Sequence, residues 1–400
     1  MRIVVAHDHY RSSAPSGEDA VFSNERALLE SKGNSVIAFE RFNDDIDESG
    51  FGKRVRLALD GAWSTRSYED LTNLLNTVRP DLVHFHNTFP LISPSAYAAC
   101  REYGIPVVQT LHNYRLVCAG ALLTRNGQPC EDCLGTTLWP ALQHRCYRGS
   151  LSATAAVVWM LASNRARAVY RTLVDRYIAL TEFAAGRFVA GGLPPTRIEV
   201  KPNFLPDAPD VGPGDGAYGV FVGRLSEEKG VRTLLDAWKS LNGFPLRILG
   251  DGPMRRELEV RAQDAKLSVQ FLGFRPRDEV LDIVGRATFE IVPSECYEGF
   301  PMVALEAYAC GTPIVASRLG SLDEIVVEGR SGIKFEAGNA ADLARKINEL
   351  LADRQMLRTM REKTRALFDE KYTADANYSR LMDIYDAALR EFREATSRER

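Results

Sequence analysis

Five short, unbroken apolar runs in the first half of the chain, at positions 3–6, 36–39, 82–85, 107–111 and 177–180, alternate with helical patterns such as 20–32 and 68–78. A continuous apolar run of four or five residues suits a strand buried on both faces, the situation inside a parallel sheet covered by helices. The second half repeats the rhythm, with runs at 218–222, 246–249, 269–272, 289–292 and 313–316 and helical patterns at 231–241 and 254–264. Such alternation restricts the chain to doubly wound α/β sheets. Four hundred residues exceed what one hydrophobic core supports, so two domains are expected. Their seam is the Pro-, Gly- and Asp-rich stretch 202–216. Charged amphipathic helices follow at 341–367 and from 374 to the end.

Composition narrows the function. A net charge of −3 argues against a dedicated nucleic-acid binder. No run of eighteen apolar residues exists to span a membrane, and the longest apolar stretch, 153–162, reads as a core helix. The opening MRIVVAHDHY reads as a buried strand rather than a secretory leader. Seven cysteines without such a leader imply a reducing, cytoplasmic compartment and free or metal-bound thiols.

Ligands of doubly wound sheets bind beyond the carboxyl ends of the strands, and the unusual residues fall there. After the run 289–292 comes SECYEGFPMVALEAYACGTPIVAS, in which Glu298 and Glu306 flank Gly299, Phe300 and Pro301. Pro301 suits the first position of a helix. The amides of Met302 and Val303 would then form an anion site, favoured by the helix dipole, with one carboxylate before it and one inside. That pattern suits a sugar nucleotide, acids for hydroxyls and amides for pyrophosphate. After the run 218–222, Gly223 lets a ligand approach the backbone while Arg224 and Lys229 grip phosphate oxygens. Gly250-Asp251-Gly252 reads either as the opening of a dinucleotide fingerprint or as a sharp strand-to-helix turn. Gly273-Phe274-Arg275 is placed to hold a nucleobase through backbone groups, or is a plain loop.

All six histidines lie in the first 144 residues. His7 and His9, His84 and His86, and His112 occupy three strand ends, which points to a cleft where imidazoles bind sugar hydroxyls or move protons. His9, His84, His86 and Asn87 are the expected acceptor contacts. Pro15-Ser16-Gly17-Glu18-Asp19 would supply backbone donors near the pyrophosphate, Gly17 foremost. Cys118, Cys130, Cys133 and Cys146 form C-x11-C-x2-C-x12-C, which either encloses a structural zinc or is a set of packed free thiols. Arg165, Arg167, Arg171 and Arg176 follow the apolar run 153–162 and form either a patch for anionic lipid or a solvated helix face.

Together, G-R-L-x-x-E-K-G, E-G-F-P-x-x-x-x-E and A-x-G-T-P-I-V-A-S closely resemble the retaining glycosyltransferases of family 4. The resemblance implies the GT-B architecture: two Rossmann-like doubly wound domains facing a cleft, with a C-terminal helix crossing back to the first. Domains are then expected at 1–203, for the acceptor, with a four-cysteine insert at 118–146, and at 204–372, for the nucleotide sugar, with 373–400 as the returning helix. By the same resemblance Glu306 holds the ribose, Glu298 contacts the donor sugar, Arg224 and Lys229 grip the diphosphate, and His112 lies near the reaction centre. Where many members carry Gly-Gly in the first loop, this chain has Ser16-Gly17.

The expected activity is transfer of a sugar from an NDP-sugar to a hydroxyl with retention of configuration, in polysaccharide or glycolipid synthesis. No cofactor is expected in catalysis, since Arg224, Lys229 and the helix amides replace the divalent metal. The acceptor is a carbohydrate or a lipid-linked carbohydrate, and the enzyme a cytoplasmic one, peripheral on the inner face of the membrane. The rivals are a GT-B epimerase, which needs no acceptor, and a non-catalytic nucleotide-binding protein.

Overall fold

The computed structural model describes residues 1–13, 16–47 and 49–398. Pro15, expected in the first phosphate loop, and the last two positions of the returning helix lie outside the described residues. The strands of the first half are β1 (Arg2–His9), β2 (Ser35–Phe42), β3 (Leu82–Phe85), β4 (Val107–Leu111), the small hairpin β5 (Thr124–Arg125) and β6 (Gln128–Pro129), β7 (Arg176–Ala179) and β8 (Ile198–Val200). Those of the second are β9 (Gly219–Val222), β10 (Leu246–Leu249), β11 (Val269–Gly273), β12 (Phe289–Val292), β13 (Ile314–Ser317) and β14 (Gly332–Phe335). Every expected strand is present. The short strands β8 and β14, with sequences IEV and GIKF, were not anticipated because neither is a continuous apolar run.

The chain divides into two compact units. The first comprises Met1–Leu122, Glu131–Asn203 and Asn377–Arg400, and the second Leu123–Cys130 and Phe204–Ala376. The seam thus falls at 203/204, while the return comes at 376/377 rather than 373.

Each unit is built on one parallel six-stranded sheet, ordered β2-β1-β3-β4-β7-β8 in the first and β11-β10-β9-β12-β13-β14 in the second. Strands β3, β4, β7, β12 and β13 are buried at every position, which explains their mainly apolar sequences, with His84, Gln109, Thr110, Arg176 and Glu290 as buried polar exceptions. Strand order reverses between β1 and β3 in the first sheet and between β9 and β12 in the second. In the first unit, Ile3, Val5, Phe22, Leu82 and Ile178 pack against Leu381, Ile384, Tyr385 and Ala388 of the helix Ala374–Arg398. The returning helix is therefore part of that unit's core. In the second, Phe221, Trp238, Phe289 and Phe335 anchor a core to which the helices Ala340–Ala352 and Arg354–Lys371 contribute Leu343, Ile347 and Met360.

Candidate functional site

The strand-order reversal in the second sheet opens a crevice between the loops after β9 and β12. After β9 the chain makes one tight turn, Glu227–Lys229, and enters the helix Val231–Trp238 through Gly230. Gly230 has φ 65°, and a Cβ there would stand 1.9 Å from the Pro293 carbonyl oxygen, so no other residue lets the two loops press together. That closeness sets the charges. Lys229 Nζ donates to Glu298 Oε1 at 2.6 Å, and Ser294 Oγ donates to the same oxygen at 2.6 Å. Burial opposes charge on both groups, but their mutual attraction prevails: the lysine is held above its ordinary range and the carboxylate below its own. Both are ionised at neutral pH. Arg224 is exposed and, among the described residues, enters no ion pair.

The helix Met302–Ala309 starts one residue later than expected, Pro301 being the residue before it (φ −72°, ψ 116°). No side chain caps this end, and the Ala304 N–H bonds the Pro301 carbonyl at 3.1 Å. The Met302 and Val303 amides are left as donors at an uncapped, dipole-favoured terminus. Glu306, further along the helix, is 17% exposed with Arg277 Nε 3.6 Å from Oε1. Burial raises its pKa, against the pull of Arg277. Glu290 of β12 is fully buried with both carboxylate oxygens unbonded, and burial, then the Glu306 charge, drives its pKa well up. Burial thus favours its protonated form to well above the usual carboxylate range.

Around this centre some expectations are revised. A Cβ on Gly250 would stand 2.0 Å from the Gly223 carbonyl oxygen, and one on Gly252 2.4 Å from that of Leu225. These glycines serve close packing of the loops after β9 and β10, and the Gly252 amide is already spent on Asp251 Oδ1 at 2.7 Å. The sharp-turn alternative holds, and Gly252 is no donor contact. Phe300 is buried with its ring 6.0 Å from that of Tyr372, so it packs rather than binds. Phe274, by contrast, is 84% exposed and presents an open aromatic face. Gly299 lies in the loop between Glu298 and Phe300.

In the first unit the histidines do meet, but mostly with one another. His84 is fully buried, Nδ1 at 2.7 Å from Tyr385 Oη and Nε2 at 2.8 Å from Thr110 Oγ1. His86 Nδ1 lies 2.9 Å from His112 Nε2. The Asn87 amide donates to the Asp8 and Phe89 carbonyls and accepts from the Phe89 N–H. His84, His86 and Asn87 are therefore not free to hold an acceptor, because their polar atoms are consumed inside the fold. His9 is only 16% exposed and lies between Glu40, 2.9 Å from Nε2, and Asp19. His112, at the end of β4, borders a small recess of about 30 Å³ with Glu18, Asn113 and Arg115. Gly17 opens a helix that is already capped. Ser16 Oγ accepts from the Glu18 N–H, and Asp19 returns the bond to the Ser16 N–H.

Two more expectations change. Arg165 donates to the Val117 and Thr136 carbonyls, and Arg176 is buried, bonded to the Thr196 carbonyl and paired with Glu391. Arg165 and Arg176 are thus engaged within the unit, while Arg167 and Arg171 remain exposed. No described helix is long and apolar enough to cross a membrane. Of the cysteines, Cys118 and Cys146 both stand beside Gly120, and Cys133 and Cys146 pack on the cluster around Val157 and Leu161. Sequence reasoning missed Ser294, Arg277 and Glu290. Ser294 opens the acid-rich stretch and was within reach; the other two carry no local signal.

Two Rossmann-like units, each built on one parallel six-stranded sheet, define a fold of the GT-B class. Comparison with known proteins agrees. The model for glycosyl transferases group 1 matches residues 210–367, and that for glycosyltransferase family 4 matches residues 26–208. The chain belongs to this glycosyltransferase family. It is 35% identical over 174 residues to an uncharacterised glycosyltransferase, MJ1178, of Methanocaldococcus jannaschii, covering 43% of this chain and 49% of that protein. It is 28% identical over 327 residues to glycogen synthase of Mycobacterium tuberculosis, covering 78% and 70% respectively. Anabaena HepE, solved in complex with UDP, has the same fold at a TM-score of 0.69 and 18% identity, over 97% of this chain and 100% of that one.

Proposed function

We propose that the protein transfers a sugar from an NDP-sugar to a hydroxyl acceptor, retaining the anomeric configuration and using no divalent metal. The observation that carries this is the uncapped start of the helix Met302–Ala309 shortly after Glu298, which pairs with Lys229. The diphosphate would take the Met302 and Val303 amides and the two cations, which neutralise charge as the glycosidic bond breaks. Lys229 keeps Glu298 ionised and in place, so that the carboxylate orients sugar hydroxyls. Glu306 would accept from ribose hydroxyls, and Phe274 would stack on the base. His112, beside the recess after β4, would bind a sugar hydroxyl. Attack is proposed on the face from which the phosphate leaves, the departing phosphate oxygen taking the acceptor proton. Release of NDP should depend on an acceptor sugar and persist in EDTA. Release without acceptor would favour epimerase or hydrolase chemistry, and loss in EDTA would overturn the metal-free mechanism.

The acceptor is proposed to be lipid-linked. A groove of about 430 Å³ between the helices Phe51–Ala62 and Leu151–Ala166 is lined by Val55, Ala58, Phe89 and Met160, with Arg54 and Arg148 among its walls. Nearby, Leu59 and Trp159 are more than half exposed. Flotation with anionic liposomes would be lost at high salt and in Trp159→Asp if this face meets the membrane.

A further inference from the structure

The polar network that consumes the first unit's histidines has a direction. Glu25, on the helix Gly17–Ser31, is buried, and its Oε2 accepts from Lys201 Nζ at 2.8 Å. Its Oε1 lies 3.1 Å from His84 Nδ1 and 3.2 Å from His86 Nε2. Lys201 is in turn held by Asn377 Oδ1 at 3.2 Å. Burial opposes the Glu25 charge, but Lys201 and His84 outweigh it and keep the carboxylate ionised. A buried carboxylate repels a facing lone pair, so His86 carries its proton on Nε2. Burial depresses His86 to about 3, so it holds only that one proton, and its Nδ1 must accept from His112. Burial keeps His112 neutral as well. Its proton is then on Nε2, and among the described residues no hydrogen bond engages its Nδ1.

We propose that Glu25 and His86 are positioning residues that hold His112 as its Nε2–H tautomer, which leaves Nδ1 as the acceptor for a sugar hydroxyl. Glu25, His84 and His86 bring metal-ligating atoms close together. Lys201 already supplies the counter-charge, and both His84 nitrogens are engaged. The catalytic consequence rests on the reading of His112 given above; the tautomer does not.

Long-range 1H–15N correlation on 15N-histidine-labelled wild-type protein reads the tautomer without any variant. A protonated Nε2 and an unprotonated Nδ1 on His112 are expected, and the reverse, or an imidazolium, overturns the proposal. Glu25→Gln leaves Lys201 buried without its partner and risks unfolding, so the double variant Glu25→Gln/Lys201→Met accompanies it. A glutamine amide can face His86 with its own N–H and reverse the chain of donors. His112 should then shift toward Nδ1–H, and kcat should fall about tenfold or more with the donor KM little changed. A folded double variant with the His112 tautomer unmoved overturns the role of Glu25. Unchanged turnover in His112→Ala would instead overturn the catalytic reading, leaving the tautomer to the spectra.

Discussion

The two sheets reverse strand order in equivalent places, yet their loops end in opposite states. In the first unit, the helix Gly17–Ser31 begins with Ser16 and Asp19 closing its open donors, and the histidines at three strand ends bond to one another, to Tyr385 and to Thr110. In the second, the helix Met302–Ala309 begins with no cap, Arg224 enters no described ion pair, and Phe274 stands in solvent. Backbone donors at a helix start cost free energy unless something accepts from them. Under the proposed function, the open donors at the second switch point are the ones a ligand would use. The first unit's own satisfied network then works as scaffolding, and what it offers is the edge of His112.

Four substitutions probe this contrast, the largest effect first. Lys229→Ala removes a charge-stabilising donor from the open site and should lower kcat about 100-fold, by the scale of losing one such donor. Near-normal turnover would take Lys229 out of the reaction. Pro301→Asp places a capping carboxylate at the open helix start, and calorimetry should find NDP bound roughly tenfold more weakly, through competition for the amides and repulsion of the phosphates. Unaltered affinity would mean that the amides do not meet the diphosphate. Ser16→Ala removes a cap already in use, and urea melts should register a loss of about 1 kcal/mol. Glu290→Gln is the subtlest. The folded state keeps Glu290 protonated, whereas the unfolded chain releases that proton above the usual carboxylate range. Wild-type stability therefore drains away as pH rises through the folded-state pKa. The glutamine variant should melt higher than wild type at pH 8 and lose that advantage by pH 4; a pH-independent difference would show that Glu290 is not neutral when folded.

Local sequence carried much of this. Ten strands were legible because burial on both faces favours mainly apolar runs between helical patterns, while the short β8 (IEV) and β14 (GIKF) stood out too little to be read. The acids Glu298 and Glu306 and the bases Arg224 and Lys229 were legible as motifs. What local sequence could not convey is which polar groups are already spoken for. His84, His86 and Asn87 look like ligand contacts on a strand end, and Arg165 and Arg176 like a surface stripe. Their partners lie far away in the chain, such as Tyr385 for His84 and Glu391 for Arg176.

By itself, then, the sequence determined two doubly wound sheets and an anion-binding helix start, because periodicity, Gly and Pro placement and charge act over a few residues. Tertiary structure alone decided that Lys229 meets Glu298, that Glu290 stays neutral, and that Glu25 sits among three basic side chains. A carboxylate's charge state and a histidine's free nitrogen depend on the dielectric and on partners tens to hundreds of residues distant, and only folding brings those within 3 Å or so.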